Sequence, residues 1–213
     1  AREALEPYAD SIRTDALGNV IAQKKGARAS GTPERSIMLA AHTDEIGLMV
    51  KGFDKGFIRF ATVGGVDLRT IVGQEVVVHA RRTLPGIVGS RPPHVLSAEA
   101  RKKSIPLDDL FIDVGMSEGE LQEAVRVGDL ITLRRDLVEL AEGYASGKAL
   151  DDRAGVVSLA ICLEGLTRIR HSWDVYAVAT TQEEVGLRGA TVSVYGVTPD
   201  VAIAVEVGFG AQQ

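Results

Sequence analysis

Hydrophobic and polar positions along the chain alternate between two kinds of pattern. Three runs are continuously apolar and short: Ser36–Ala41, Trp173–Thr181 and Val201–Val207. Such runs predict strands buried on both faces of an α/β sheet. Residues 151–167 carry Val156, Val157, Ala160, Leu163 and Leu166 at helical spacing, which predicts a helix. The same reading places a helix over residues 1–17 through Leu5, Ala9, Ile12 and Ala16, then a turn at Leu17–Asn19 and a strand over residues 19–24. The breaker-rich stretch GARASGTPER reads as a loop.

Between these segments the pattern changes. From about residue 48 to 142 short β-rich runs follow one another: GLMVKGF, GFIRFATV, QEVVVHA, GIVGS, LFIDVG and DLITLRR. Turns at Val63-Gly64-Gly65 and Val127-Gly128-Asp129 punctuate them. This predicts a small β-barrel or sandwich. One short helix is expected at Ser117–Val125, with Ser117 as N-cap and Glu120 three residues on. The expected architecture is an α/β domain (1–47 and 143–213) interrupted by an inserted β domain (48–142).

Composition narrows the function. With 24 Lys+Arg, 29 Asp+Glu and a net charge of -5, the chain suits neither a nucleic acid nor an anionic membrane. The single Cys162 excludes a disulfide framework and is expected in the core of its helix. With no apolar run of membrane-spanning length, the expected setting is cytoplasmic.

The candidate chemistry falls at strand ends. His42-Thr43-Asp44-Glu45 follows the first buried strand, Glu183-Glu184 the second, and Glu206 ends the third. Asp151-Asp152 opens the helix after the insertion. Ligands of open α/β sheets bind at the carboxyl ends of strands. A cluster of carboxylates repels itself unless a cation neutralises it. One imidazole among carboxylates suits zinc, cobalt or manganese better than calcium, and the number of carboxylates suggests two ions sharing an aspartate. Each piece has an ordinary reading too: an aspartate before a helix caps it, and a Glu-Glu pair after a strand is usually solvated. Their joint occurrence favours a metal site.

The segments MLAAHTDEIGLMV, GKALDDRAG and TTQEEVGLRGA resemble the tetrahedral (TET) aminopeptidases. This is the glutamyl- or deblocking-aminopeptidase family of dinuclear metallopeptidases, whose members have often been called endoglucanases. GQEVVVHARR and GIVGSRPPHVLSAEARKK look like that family's PDZ-like dimerisation barrel. The resemblance implies a phosphorylase/hydrolase-like zinc-peptidase sheet. It implies His42 as a metal ligand, Asp44 as the carboxylate orienting it, and Asp151 as the bridging ligand. Glu183 would be the general base, Glu184 a ligand of the second metal, and Glu206 a ligand where many relatives carry Asp. It further implies short peptides as substrates and dimers assembling into a dodecamer. The family chain continues further and supplies a late histidine, for which His79, His94 and His171 are poor substitutes. The expected function is metal-dependent removal of N-terminal residues. A carboxypeptidase or deacylase of the same superfamily, favoured slightly by Glu206, and an inactive scaffold are the alternatives.

Overall fold

The computed structural model describes residues 1–95, 97 and 105–210; part of the segment GIVGSRPPHVLSAEARKK lies outside them. In chain order the first elements are α1 (Arg2–Leu5), β1 (Ser11–Thr14), β2 (Val20–Lys24) and β3 (Ser36–His42). Then follow β4 (Gly47–Asp54), β5 (Phe57–Val63), α2 (Leu68–Ile71), β6 (Glu75–His79) and β7 (Thr83–Ser90). Next come β8 (Leu110–Asp113), α3 (Glu118–Ala124), β9 (Leu130–Leu133), β10 (Val138–Glu139) and β11 (Ala145–Ser146). The chain closes with α4 (Leu150–Leu166), β12 (Asp174–Thr180), α5 (Arg188–Val197) and β13 (Val201–Ala204). Two compact units result, residues 1–45 with 149–213, and residues 46–148. Among the described residues no helix is long and apolar enough to cross a membrane.

The first unit is built on a sheet of order β1-β2-β12-β3-β13. β12 and β13 both run parallel to β3, while β2 and β1 are antiparallel additions. One face buries Ala22, Ala41, Val175, Ala177 and Ala179 with Val156, Leu159 and Leu163 of α4 and with Leu5. The other buries Ile21, Met38, Ala40 and Val178, with Val197 of α5 against them. Residues facing both ways explain why these strands read as continuous apolar runs rather than alternating ones.

The second unit is a closed barrel of order β4-β5-β8-β7-β6-β9. Here the strands alternate: Leu48 and Val50 point inward while Met49 and Lys51 are exposed, and Leu84 and Val88 point inward while Thr83 and Ile87 are exposed. Ile58, Ile71, Val76, Val78, Ile112, Leu121 and Ile131 complete a core of its own. Closure removes the unpaired edges that an open sheet of this size would leave. α3 begins as expected, with the Ser117 backbone N–H and hydroxyl donating to the Glu120 carboxylate at 3.0 and 2.6 Å.

Three local expectations are corrected. The helix over residues 1–17 is confined to Arg2–Leu5 plus a 3-10 turn at Glu6–Tyr8, and residues 11–14 are a strand. Pro7 cannot supply an interior helical N–H, and Ser11–Thr14 pairs instead with Val20–Gln23. Leu5, Ala9 and Ile12 still reach one core, so the spacing identifies the inward residues but not their backbone. The third strand ends at Ala204 rather than Val207, and its residues are exposed rather than buried on both faces. Cys162 is exposed, not core: α4 turns Leu159 and Leu163 to the sheet and leaves Ile161 and Cys162 outside. Finally, α5 has no counterpart in the sequence pattern. Its sequence RGATVSVYGV is poor in helix formers, and its packing on β12 and β3 overrides that preference.

Truncating the centre of the barrel should be costly. Ile112 is fully buried, so Ile112→Ala is expected to cost about 2–5 kcal/mol. Urea unfolding of the variant checks this; a loss below about 1 kcal/mol would contradict a packed interior.

Candidate metal centre

Register decides which side chains meet. Thr180 pairs with His42, and Ala204 pairs with Ala40. Glu206, two residues beyond Ala204, therefore arrives level with His42. Past Thr180 the chain turns into Glu183 and Glu184. The start of α4 lies against β3, where Asp152 receives the His42 backbone N–H at 3.2 Å. The structure thus brings His42, Asp44, Asp151, Glu183, Glu184 and Glu206 to one end of the first unit's sheet.

His42 is the buried centre, at 2% exposure. Its Nδ1 lies 3.0 Å from the main-chain oxygen of Asp44 and 3.7 Å from the Asp44 carboxylate. Its Nε2 lies 2.9 Å from Asp151 Oδ1, 3.8 Å from Glu206 Oε2 and 3.9 Å from Glu183 Oε2. The Asp44 carboxylate accepts the backbone N–H groups of Glu183 and Glu184 at 3.1 and 3.2 Å. It thereby anchors the turn that carries both glutamates.

The two aspartates of the Asp-Asp pair divide their work. Asp152 is fully buried, accepts from His42 N, and caps the helix by accepting Gly155 N at 3.0 Å. A Cβ at residue 155 would collide with the Asp152 carboxylate, so only glycine permits this approach. Asp151 faces His42 and is exposed. Regular helix begins after the pair, since both aspartates have non-helical backbone angles.

The donor set fits a divalent cation. Among the described residues, two groups have ligand atoms within 4.8 Å of one another: His42, Asp151 and Glu206, and His42, Glu183 and Glu184. His42 belongs to both. With Nδ1 facing a carbonyl, only Nε2 is available, so the imidazole can serve one ion. Asp151 has two carboxylate oxygens and could serve two.

Electrostatics shows the crowding. Burial and the neighbouring Asp151 and Glu183 carboxylates push Glu184 above its ordinary value of 4.5. Burial also pushes Glu206 up; the Val207 N–H opposes it, and Asp152 and Asp151 add to it. His42 is raised too: burial pulls it down, but the Asp151 hydrogen bond and the charges of Glu206 and Asp44 outweigh that. A cation at this edge would reverse these penalties.

His79 lies in the barrel beside the Thr132 hydroxyl at 2.9 Å. His171 precedes β12, at the opposite end of that strand, with Nδ1 2.8 Å from the Trp173 oxygen. His94 lies in a 3-10 turn of the second unit. None of the three joins either group. Sequence reasoning missed Asn19 and the anchoring role of Asp152. A buried Asn after a Gly turn carries no periodic signal.

The fold matches a TET aminopeptidase from a marine sediment archaeon of the Thaumarchaeota, with a TM-score of 0.91 and 39% identity, over 100% of this chain and 60% of that one. It also matches the TET1 peptidase of Pyrococcus horikoshii, with a TM-score of 0.83 and 36% identity, over 96% of this chain and 61% of that one. The lysyl aminopeptidase of Pyrococcus furiosus is 36% identical over 99% of this chain and 60% of its own length. The chain belongs to the M42 glutamyl aminopeptidase family, which it matches over residues 18–213. It spans about 60% of the length of these relatives.

The raised Glu184 has a testable consequence. A carboxyl whose folded pKa exceeds its unfolded value stabilises the fold below the unfolded value, and that contribution is lost as pH rises through the folded one. In metal-free protein, Glu184→Gln should melt a few degrees above wild type at about pH 8. The gap should narrow as pH falls through the raised folded value and close below the ordinary value of 4.5. Equal melting temperatures across that range would contradict a strained edge.

Proposed function

We propose that this chain carries the metal-binding and proton-transfer residues of a metal-dependent aminopeptidase acting on short peptides. The observation that carries the reading is the convergence of His42, Asp151, Glu206, Glu183 and Glu184 from four separate segments at one sheet edge. Family membership supports it. His42, Asp151 and Glu206 would hold one ion, and Asp151 with Glu184 a second. The mixed imidazole and carboxylate set suits zinc, cobalt or manganese. Bound there, the ions supply a water of lowered pKa and polarise the scissile carbonyl.

The protein's own groups do the rest. Glu183 lies 3.9 Å from His42 Nε2 and is partly exposed, so a water and a peptide can reach it. Its carboxylate takes the proton of the attacking water and delivers it to the leaving amine. Asp44 holds the backbone of that base and of Glu184 in place. The substrate's free α-amine would meet the acidic edge, which favours a cation and makes cleavage exopeptidic.

We also propose that the barrel is a surface for assembly into homo-oligomers. Two things support this: the barrel has its own closed core, and the Pyrococcus horikoshii TET1 peptidase is described as assembling into a tetrahedron or a large octahedral shell. Residues 46–148 expressed alone should sediment as a dimer. A folded monomer would move the contact to the other unit.

A base and a ligand respond differently to the same small change. Glu183→Gln should keep its metal while losing about 100-fold or more in turnover of an aminoacyl anilide. Metal content and turnover are both read; near wild-type turnover would remove Glu183 from the base role. Faster hydrolysis of an N-acylated amino acid would favour a deacylase.

A further inference from the structure

The turn from Thr181 to Gly189 joins β12 to α5 and carries Glu183 and Glu184. It contains two non-glycine residues in the left-handed region, Gln182 at φ 59° and Leu187 at φ 58°. Such backbone persists only where surrounding contacts over-determine it. Asp44 supplies contacts in the middle of the turn. Both of its ends meet a single side chain, Asn19.

Asn19 is fully buried. Its Oδ1 accepts Thr181 N at 2.9 Å, and the Thr181 hydroxyl lies 3.2 Å both from it and from the Leu17 carbonyl oxygen. Its Nδ2 donates to the Gly189 carbonyl at 3.2 Å. The orientation of the amide is settled by Asp15, whose Oδ2 accepts the same Nδ2 at 2.7 Å. A carboxylate oxygen can only accept there, so the nitrogen must face it. Asp15 is itself held by its Oδ1, which accepts Leu17 N, Gly18 N and Asn19 N at 2.9, 3.0 and 3.0 Å. Gly189 is required for the approach: a Cβ there would collide with the Thr181 carbonyl and with Asn19 Oδ1.

We propose that Asn19 is a positioning residue that closes the Glu183–Glu184 turn at both ends and so aims the two carboxylates at the sheet edge. The inference rests on the roles proposed above for those glutamates. Asn19 touches neither of them; it acts through Thr181 and Gly189. Alanine removes both ends of the link. Aspartate keeps the acceptor for Thr181 but sets a second carboxylate against Asp15. Adding Asp15→Asn restores a donor between the two side chains, because the introduced amide still accepts the three backbone N–H groups through its oxygen.

Hydrogen exchange of the metal-free protein tests this. In Asn19→Ala, amides of residues 181–189 should exchange at least about tenfold faster, while those of β12 and the barrel stay at wild-type rates. Asn19→Asp should show the same local acceleration, and Asn19→Asp with Asp15→Asn should recover most of the protection at the Thr181 end. Should the alanine protein fail to fold, the aspartate pair decides. Unchanged exchange in the turn, uniform acceleration through β12, absence of recovery in the double variant, or failure of all three variants to fold would each overturn the proposal. In protein with turnover, Asn19→Ala should lower kcat about tenfold with KM changed less than about twofold. The exchange readout needs neither metal nor substrate. It therefore stands apart from the aminopeptidase reading, which fails separately if wild-type protein hydrolyses no aminoacyl anilide.

Discussion

Everything at the candidate site depends on the parallel register of three strands. β12 and β13 flank β3 in step, so Thr180 sits beside His42 and the residue after Val205 arrives at the same level. A one-residue slip would turn His42 to the other face of the sheet. For β3 and β12 register is specified because both faces are buried, by α4 on one side and α5 on the other. The small residues Ala40, Ala41, Ala177 and Ala179 line these strands and let the helices approach closely. The hydrophobic layers thus set the positions of the charged residues at the end of the sheet.

That placement is electrostatically unfavourable without a cation. His42, Glu184 and Glu206 all have pKa values raised above their ordinary ones, because acidic groups crowd a partly buried edge. The fold tolerates the crowding by giving its anchors neutral work. Asp152 directs its carboxylate at two backbone amides, one from β3 and one from α4. Asp44 directs its own at two amides of the glutamate turn. Adjacent Asp151 and Asp152 show how far environment separates like residues: one is buried and structural, the other is exposed and faces the imidazole.

The barrel answers a different requirement. Its strands alternate inward and outward around a private core, and none of the candidate ligands belongs to it.

Much of this was legible in the sequence alone. Short β-rich runs between turns marked the six barrel strands, and continuous apolar runs marked β3, β12 and β13, although only β3 and β12 are buried on both faces. Charged residues directly after apolar runs marked the site, since a carboxylate is costly inside a strand. The N-terminal helix misled, because Leu5, Ala9 and Ile12 share a core although only the first is helical. α5 was invisible, because its β-branched residues and glycines favour other conformations until the sheet supplies a surface. Only the tertiary structure decided that the buried Asp152 accepts the His42 backbone N–H, and which buried amide ties the glutamate turn at both ends. These choices rest on hydrogen bonds between residues more than a hundred positions apart in sequence, and such directional contacts leave no periodic trace along a chain.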